Sequence, residues 1–321
     1  MYLRSMRGDA GGFHHTKFRD SLTQNNQYAP YLILSAPPFR RSAFKNADSL
    51  IQLYKNQGYD LVKVLSAPNT QRFDEIIQAS KKYKIKVAGH NPAPFLKTLD
   101  SGFGCIEHLD GYSPYLKNDS INYVIAKTVK NNIYNCATLD WYSLVYFQST
   151  KDELHKRAGL QYVSKKQLAT WDSALDATLA KLNQLDEAKR QEKLKSLKET
   201  MDAKYLVLKE LYDSNAKIIL GGDATDSYQT PGFTVYDEMY HHKKAGATNY
   251  QVLRTATYSA AEYCDRTNEW GSVTTGKLAN LVLLSKNPLE QLENIDSVEG
   301  VVINGNWLTK EQLNKRITIP K

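Results

Sequence analysis

The feature that most constrains this chain is a repeated change of texture. Short apolar runs at residues 31–35 ("YLILS"), 61–65 ("LVKVL"), 85–88 ("IKVA"), 105–107 ("CIE"), 133–136 ("IYNC") and 218–220 ("IIL") alternate with stretches such as "NTQRFDEIIQASKKYK" and "TVYDEMYHHKKAG", whose apolar residues recur at helical spacing. The runs are too short to be helices and lack the polar alternation of a strand wetted on one face, so each reads as a strand buried on both faces. Such strands alternating with helices imply a parallel sheet or barrel covered by helices. Asn69 and Asn118 stand where helix N-caps belong.

Two regions break the repeat. Residues 151–213 read as a mostly helical insertion, and after Thr275 the texture becomes "GKLANLVLLSKNPLEQLENIDSVEGVVINGNWL", with short strands and an Asn304-Gly305 turn. The expected organisation is a barrel over 1–275 and a small β element over 276–321. A chain of 321 residues, 41% hydrophobic, can bury such a core.

The net charge of +8 suggests a nucleic-acid partner, but the lysines are densest where they alternate with acids, as in "LDEAKRQEKLKSLKETMDAKYLVLKELY". That is the solvated face of amphipathic helices, so no nucleic-acid partner is expected. No apolar run approaches the roughly 20 residues a bilayer requires, so no membrane is expected either. Residues 1–12 lack the apolar core of a signal peptide, which reads as cytoplasmic for the chain as given, or secreted or periplasmic if a leader precedes it. Cys105, Cys136 and Cys264 are too few and too scattered for a disulfide framework or a thiolate zinc site.

The ends of the strands carry the chemistry. "LVKVLSA" places Lys63 in a strand, "KVAGHNP" puts His90 just past one, "CIEHLDG" puts His108 past the next, and "KIILGGDA" ends at Asp223 after a Gly221-Gly222 turn. In parallel α/β folds the C-terminal strand ends are where ligands and catalytic groups collect. Each residue has an ordinary alternative: a snorkelling lysine, hydrogen-bonded histidines, and an Asp223 that caps the following helix. Together on successive strands they form a set of the type that binds zinc and similar divalent ions.

These segments resemble the amidohydrolase superfamily, in particular its imidazolonepropionase-like and Xaa-Pro dipeptidase-like branch. "GYDLVKV", "VAGHNP", "CIEHLDGY", "LQYVSKKQLATW", "KIILGGDA", "LRTATYSAAEY", "GSVTTGKLANLVLLSKNPLE" and "VVINGNWL" occur in that branch's order. The resemblance implies a (β/α)₈ TIM-like metal-dependent hydrolase barrel with a small C-terminal β-sandwich element. It implies one or two divalent ions, zinc foremost, with manganese and iron also suited. Lys63 matches a lysine that is carboxylated, as a CO2-derived carbamate, and bridges two metals; burial between Val62 and Val64 would favour the neutral amine this needs. His90 and His108 match metal-binding histidines. Asp223 matches the aspartate that binds at the metal centre, accepts a proton from the attacking water and passes it to the leaving nitrogen. Tyr162, in "LQYVS", matches a tyrosine that contacts the substrate carboxylate. The implied reaction is hydrolysis of an amide bond in a small substrate such as a dipeptide or cyclic amide, by a chain that forms a homo-oligomer or acts alone.

The family's first-strand His-X-His pair has no counterpart here, and the opening "LRSMRGDAGG" resembles the family's second strand. The resemblance therefore implies a chain that lacks the N-terminal sandwich strands and the first barrel strand. The adjacent His14-His15 would point opposite ways on an extended chain and is no substitute. The alternative function is a non-catalytic amidohydrolase-fold binding or assembly protein. The loops "SAPPFRRSAF" and "ATLDWYSLVYF" have the aromatic and basic character of a pocket lining.

Overall fold

The computed structural model describes residues 2–6, 8, 14–25, 28–40, 44, 46–67, 69–91, 93–117, 120–224 and 227–316. Seven parallel strands follow one another in chain order among these residues: β1 Tyr2–Ser5, β2 Tyr31–Leu34, β3 Leu61–Val64, β4 Lys86–Gly89, β5 Cys105–Glu107, β6 Tyr134–Cys136 and β7 Lys217–Ile219. β1 pairs with β2, and β3 to β7 form a five-stranded sheet. A parallel bridge from Ser35 to Leu61 joins the two, so each strand lies beside its neighbour in sequence. That order, with helical crossovers, is the one a barrel wraps in.

The sheet curls, and side chains show by how much. β1 and β5 are four strand spacings apart, roughly 19 Å if the sheet were flat. Yet Arg4 on β1 forms two hydrogen bonds to Glu107 on β5, at 2.8 and 2.9 Å. Only a sheet closing on itself brings those ends together. Ile33, Leu61, Ala88, Cys105, Tyr134, Cys136 and Ile219 meet in one inner cluster with Tyr263. β1 and β7 do not pair among the described residues, so the expected barrel is present as a seven-stranded, incomplete one.

The outer face is covered as the sequence periodicity predicts. In the helix Thr70–Lys82, Phe73, Ile76, Ile77 and Ser80 are buried, the i, i+3, i+4, i+7 stripe of a helix lying on a sheet. Asn69 caps it, its side chain accepting from Arg72 N at 2.9 Å, while Asn118 lies outside the described residues. Val62, Val64, Val87, Ile106 and Ile218 point outward into the main core, shared with Phe39, Ile51, Phe73 and Leu99. Phe39 is 2% exposed and packs edge-on against Phe44, so the aromatic residues of "SAPPFRRSAF" belong to that core rather than to a pocket lining.

Between β6 and β7 the chain makes helices Lys151–Leu154, Lys165–Asn183 and Glu187–Asp213. After the parallel strands come β8 Leu281–Leu284, β9 Val298–Ile303 and β10 Asn306–Thr309, an antiparallel sheet in the order β10-β9-β8. Its hairpin turns at Asn304 (φ 49°) and Gly305 (φ 81°), the two positive angles a type I′ turn requires. Among the described residues, no helix is long and apolar enough to cross a membrane.

Candidate active site

Strand alternation sets the site. Leu61 and Ala88 belong to the inner cluster, Lys63 lies two residues beyond Leu61 and pairs with Ala88, and His90 lies two beyond Ala88. All therefore face the barrel interior. Lys63 is half-buried rather than buried as its apolar neighbours suggested, and no hydrogen bond or ion pair engages its ammonium among the described residues.

His90 and His108 are brought together, with ring centroids 4.7 Å apart and planes at 65°. His90 Nδ1 lies 3.2 Å from Asp110 Oδ2, and His108 Nδ1 lies 2.7 Å from Thr138 Oγ1. His108 is 6% exposed. Burial first, and then the neighbouring His90, holds its imidazole below the ordinary value, which keeps the ring neutral at pH 7. Asp110 is pulled the opposite way. Burial opposes its ionisation, but the hydrogen bond with His90 and the charge of Lys204 outweigh it and keep the carboxyl below its usual range. An ionised carboxylate can only accept, so His90 presents Nδ1–H to it and keeps the Nε2 lone pair for another partner.

Asp223 follows β7 at φ +48°, a left-handed residue just past the strand. Gly221 and Gly222 do not supply that turn. Their role is close approach: a Cβ on Gly221 would stand 2.8 Å from Cys136 Sγ, and one on Gly222 would stand 3.2 Å from Thr234 O. The helix that follows, Thr234–Lys244, begins at Phe233 with no side-chain cap, so Asp223 does not cap it. Its charge instead acts on His108 and Tyr142. Gln229 fixes the loop base, its Nε2 donating to Gly222 O at 3.0 Å and to the buried Asp140 Oδ2 at 2.9 Å.

Tyr162 is placed elsewhere. It ends a short 3₁₀ turn, Leu160–Tyr162, with its ring stacked on Phe233 at 5.6 Å, and no contact among the described residues joins it to the histidines. The segment "ATLDWYSLVYF" does reach the site, as the helix Leu139–Val145 rather than a loop: Trp141 and Tyr142 lie 6.3 and 5.8 Å from the His108 ring.

Several site residues were not singled out from sequence. Glu107 and Asp110 flank His108 within the quoted "CIEHLDG", and Arg4 answers Glu107 across the barrel floor. Burial works against both charges, yet each partner outweighs it, holding the Glu107 carboxyl below its usual range and the Arg4 guanidinium above its own. Thr138 follows β6 in a left-handed conformation (φ 52°, ψ 41°) that a β-branched residue rarely adopts.

The two imidazoles fit a divalent cation. Both are held by Nδ1, the arrangement that orients metal-binding histidines, and their ring centroids lie 4.7 Å apart. No group of three or more His, Cys, Asp or Glu among the described residues is arranged to hold a metal.

No curated protein matches the chain. A Xaa-Pro dipeptidase with methionine bound in its active site is 16% identical, with a TM-score of 0.66 over 96% of this chain and 75% of that one. Bottromycin amidohydrolase is 17% identical, with a TM-score of 0.72 over 98% of this chain and 72% of its own. A prolidase complexed with N-methylphosphonate-L-proline is 15% identical, with a TM-score of 0.61 over 96% and 75%. At these identities the likeness shows the fold. Residues 66–308 match the amidohydrolase family, and with the strand order and the paired histidines already placed, the chain belongs to that family of hydrolases acting on carbon–nitrogen bonds.

Proposed function

We propose that this chain hydrolyses the amide bond of a small substrate, a dipeptide or cyclic amide, in a metal-dependent reaction. The observation that carries the reading is the His90–His108 pair, each ring held by Nδ1 and set at the C-terminal strand ends. His90 and His108 would hold one divalent ion, zinc foremost, and Lys63, as its carbamate, would supply a further ligand. Such an ion polarises a scissile carbonyl and brings the pKa of water toward neutrality. Asp223, beside His108 at the end of β7, accepts the proton of the attacking water and delivers it to the leaving nitrogen as the C–N bond breaks. Trp141 and Tyr142 wall the site and exclude water from it. Tyr162 is the candidate contact for the substrate carboxylate; its ring stacks on Phe233. The dipeptidase and prolidase neighbours, one with methionine and one with a proline phosphonate, favour dipeptides over cyclic amides. The exposed apolar β8 favours association with a second copy.

The test is metal content per chain by elemental analysis after purification with zinc and manganese supplied, comparing wild type with His90→Ala/His108→Ala. Close to one ion per chain, lost in the double variant, is expected, with dipeptide hydrolysis lost in parallel. Equal metal in both proteins, or none in either, overturns the reading and leaves a non-catalytic amidohydrolase-fold binding protein.

A further inference from the structure

The helical insertion sends one charged side chain into this site. On the helix Glu187–Asp213, Lys189, Lys193, Lys195, Lys198 and Lys209 are exposed, but Lys204 is only 5% exposed. It interrupts the buried stripe of Met201, Leu208 and Leu211, where an apolar residue would normally sit. Its Nζ donates to the carbonyl oxygen of His108 at 2.6 Å and lies 3.8 Å from the centroid of the Tyr142 ring. It is also 4.0 Å from Asp110 Oδ1, the carboxylate whose other oxygen meets His90 Nδ1 at 3.2 Å. One ammonium thus reaches both histidines, His108 through its own carbonyl and His90 through Asp110.

The backbone explains the need. His108 and Leu109 are both left-handed, at φ +64° and +55°. Two successive non-glycine residues in that region are strained and persist only where their surroundings hold them. A buried ammonium is itself costly, and an apolar residue of the same length would serve packing better. We propose that Lys204 is a positioning residue that ties the helical insertion to the histidine pair and presets both imidazoles for a divalent cation. This rests on reading His90 and His108 as the ligand pair.

The test uses the full chain and Lys204→Met, which keeps the unbranched side chain up to the ε position and drops the ammonium. Thermal unfolding checks the fold, visible absorption titration with Co²⁺ reads ligand affinity, and ¹⁵N-edited NMR of the histidine rings reads their tautomers without metal. The expected result is a folded variant that binds Co²⁺ about 10–100-fold more weakly, the usual cost of losing a residue that orients a ligand. In the metal-free variant His90 passes from a single Nδ1–H form to a mixture. Unchanged Co²⁺ affinity with unchanged tautomers overturns the inference while the ligand pair stands. Should the wild type bind no Co²⁺ through His90 and His108, the ligand reading fails. The tautomers then decide the role of Lys204 alone: unchanged rings sink it. If Lys204→Met does not fold, Asp110→Asn breaks the same link from the other end. It is expected to free the His90 ring and leave that of His108 as it was; an unaltered His90 overturns the inference.

Discussion

The two sides of the site are held in different ways. On the β4–β5 side both imidazoles have Nδ1 engaged, by Asp110 and Thr138, and a buried ammonium braces the turn between them. On the flanking side Lys63 is half-buried with no side-chain partner among the described residues, and Asp223 rides a loop whose base Gln229 fixes at Gly222 O. Under the proposed function the difference follows the chemistry assigned to each side. A ring that donates a lone pair in one direction must be aimed before the ligand arrives, and aiming requires partners. A carboxylate that accepts a proton and returns it, or an amine that takes up CO2, needs room to change state.

The largest effect expected from this contrast is on turnover. Asp223→Asn keeps the shape of the side chain and removes the base, so kcat falls by about 10²–10⁴-fold while metal content stays at the wild-type level. Steady-state kinetics beside elemental analysis would show it; loss of metal along with turnover would mean that Asp223 belongs to the fixed side, and the contrast would collapse. Next is the floor beneath both sides. Arg4→Met leaves Glu107 buried and unpaired, at a cost of about 3–5 kcal/mol in unfolding free energy. The pH dependence carries a sign. In the wild type Glu107 has a folded pKa below its ordinary 4.5, so its stabilisation is fully present above that value and is lost as pH falls through the folded one. Arg4→Met removes the largest influence that opposes burial; with only His108 and Cys105 left against it, burial raises the Glu107 pKa, so stability there should hold or rise as pH falls through the acid range. Urea unfolding at several pH values reads the slope, and equal slopes in the two proteins would deny the pair its role.

Much of the fold was legible because buried parallel strands leave an unmistakable texture. The strand at 105–107 lies where it was read, three others differ by a residue at one end, and those read at 85–88 and 218–220 are shifted by one residue. Lys63, His90, His108 and Asp223 were legible for a related reason: polar residues at the ends of apolar runs stand out. What could not be read was the side that aims them. Thr138 is an ordinary threonine until the pairing of β5 with β6 sets it against His108. Arg4 and Glu107 are 103 positions apart, and only closure of the sheet pairs them. Lys204 did leave a trace, a charge on the apolar stripe of its helix, hidden by the many lysines around it that are solvated. Gly221-Gly222 was read as the turn itself, whereas the turn residue is Asp223 and the glycines make room for Cys136 and Thr234.

The smallest effect is the sharpest probe of the fixed side. Thr138 combines a hydroxyl bound to His108 Nδ1 with a left-handed backbone at φ 52°, and two substitutions separate them. Thr138→Val keeps the branched shape and its strain but removes the hydroxyl. Stability should fall by about 1 kcal/mol, the ordinary net worth of a hydrogen bond, and metal affinity by about 10-fold, because the His108 ring loses its aim. Thr138→Gly also removes the hydroxyl but relieves the left-handed strain of about 1–2 kcal/mol, so it should be at least as stable as Thr138→Val with the same loss of affinity. Thermal unfolding and Co²⁺ titration of the pair decide the matter. If affinity follows stability across the two variants, the hydroxyl only packs against the ring; if affinity drops equally while stability diverges, Thr138 holds His108 in place at a cost the fold bears for the sake of the site.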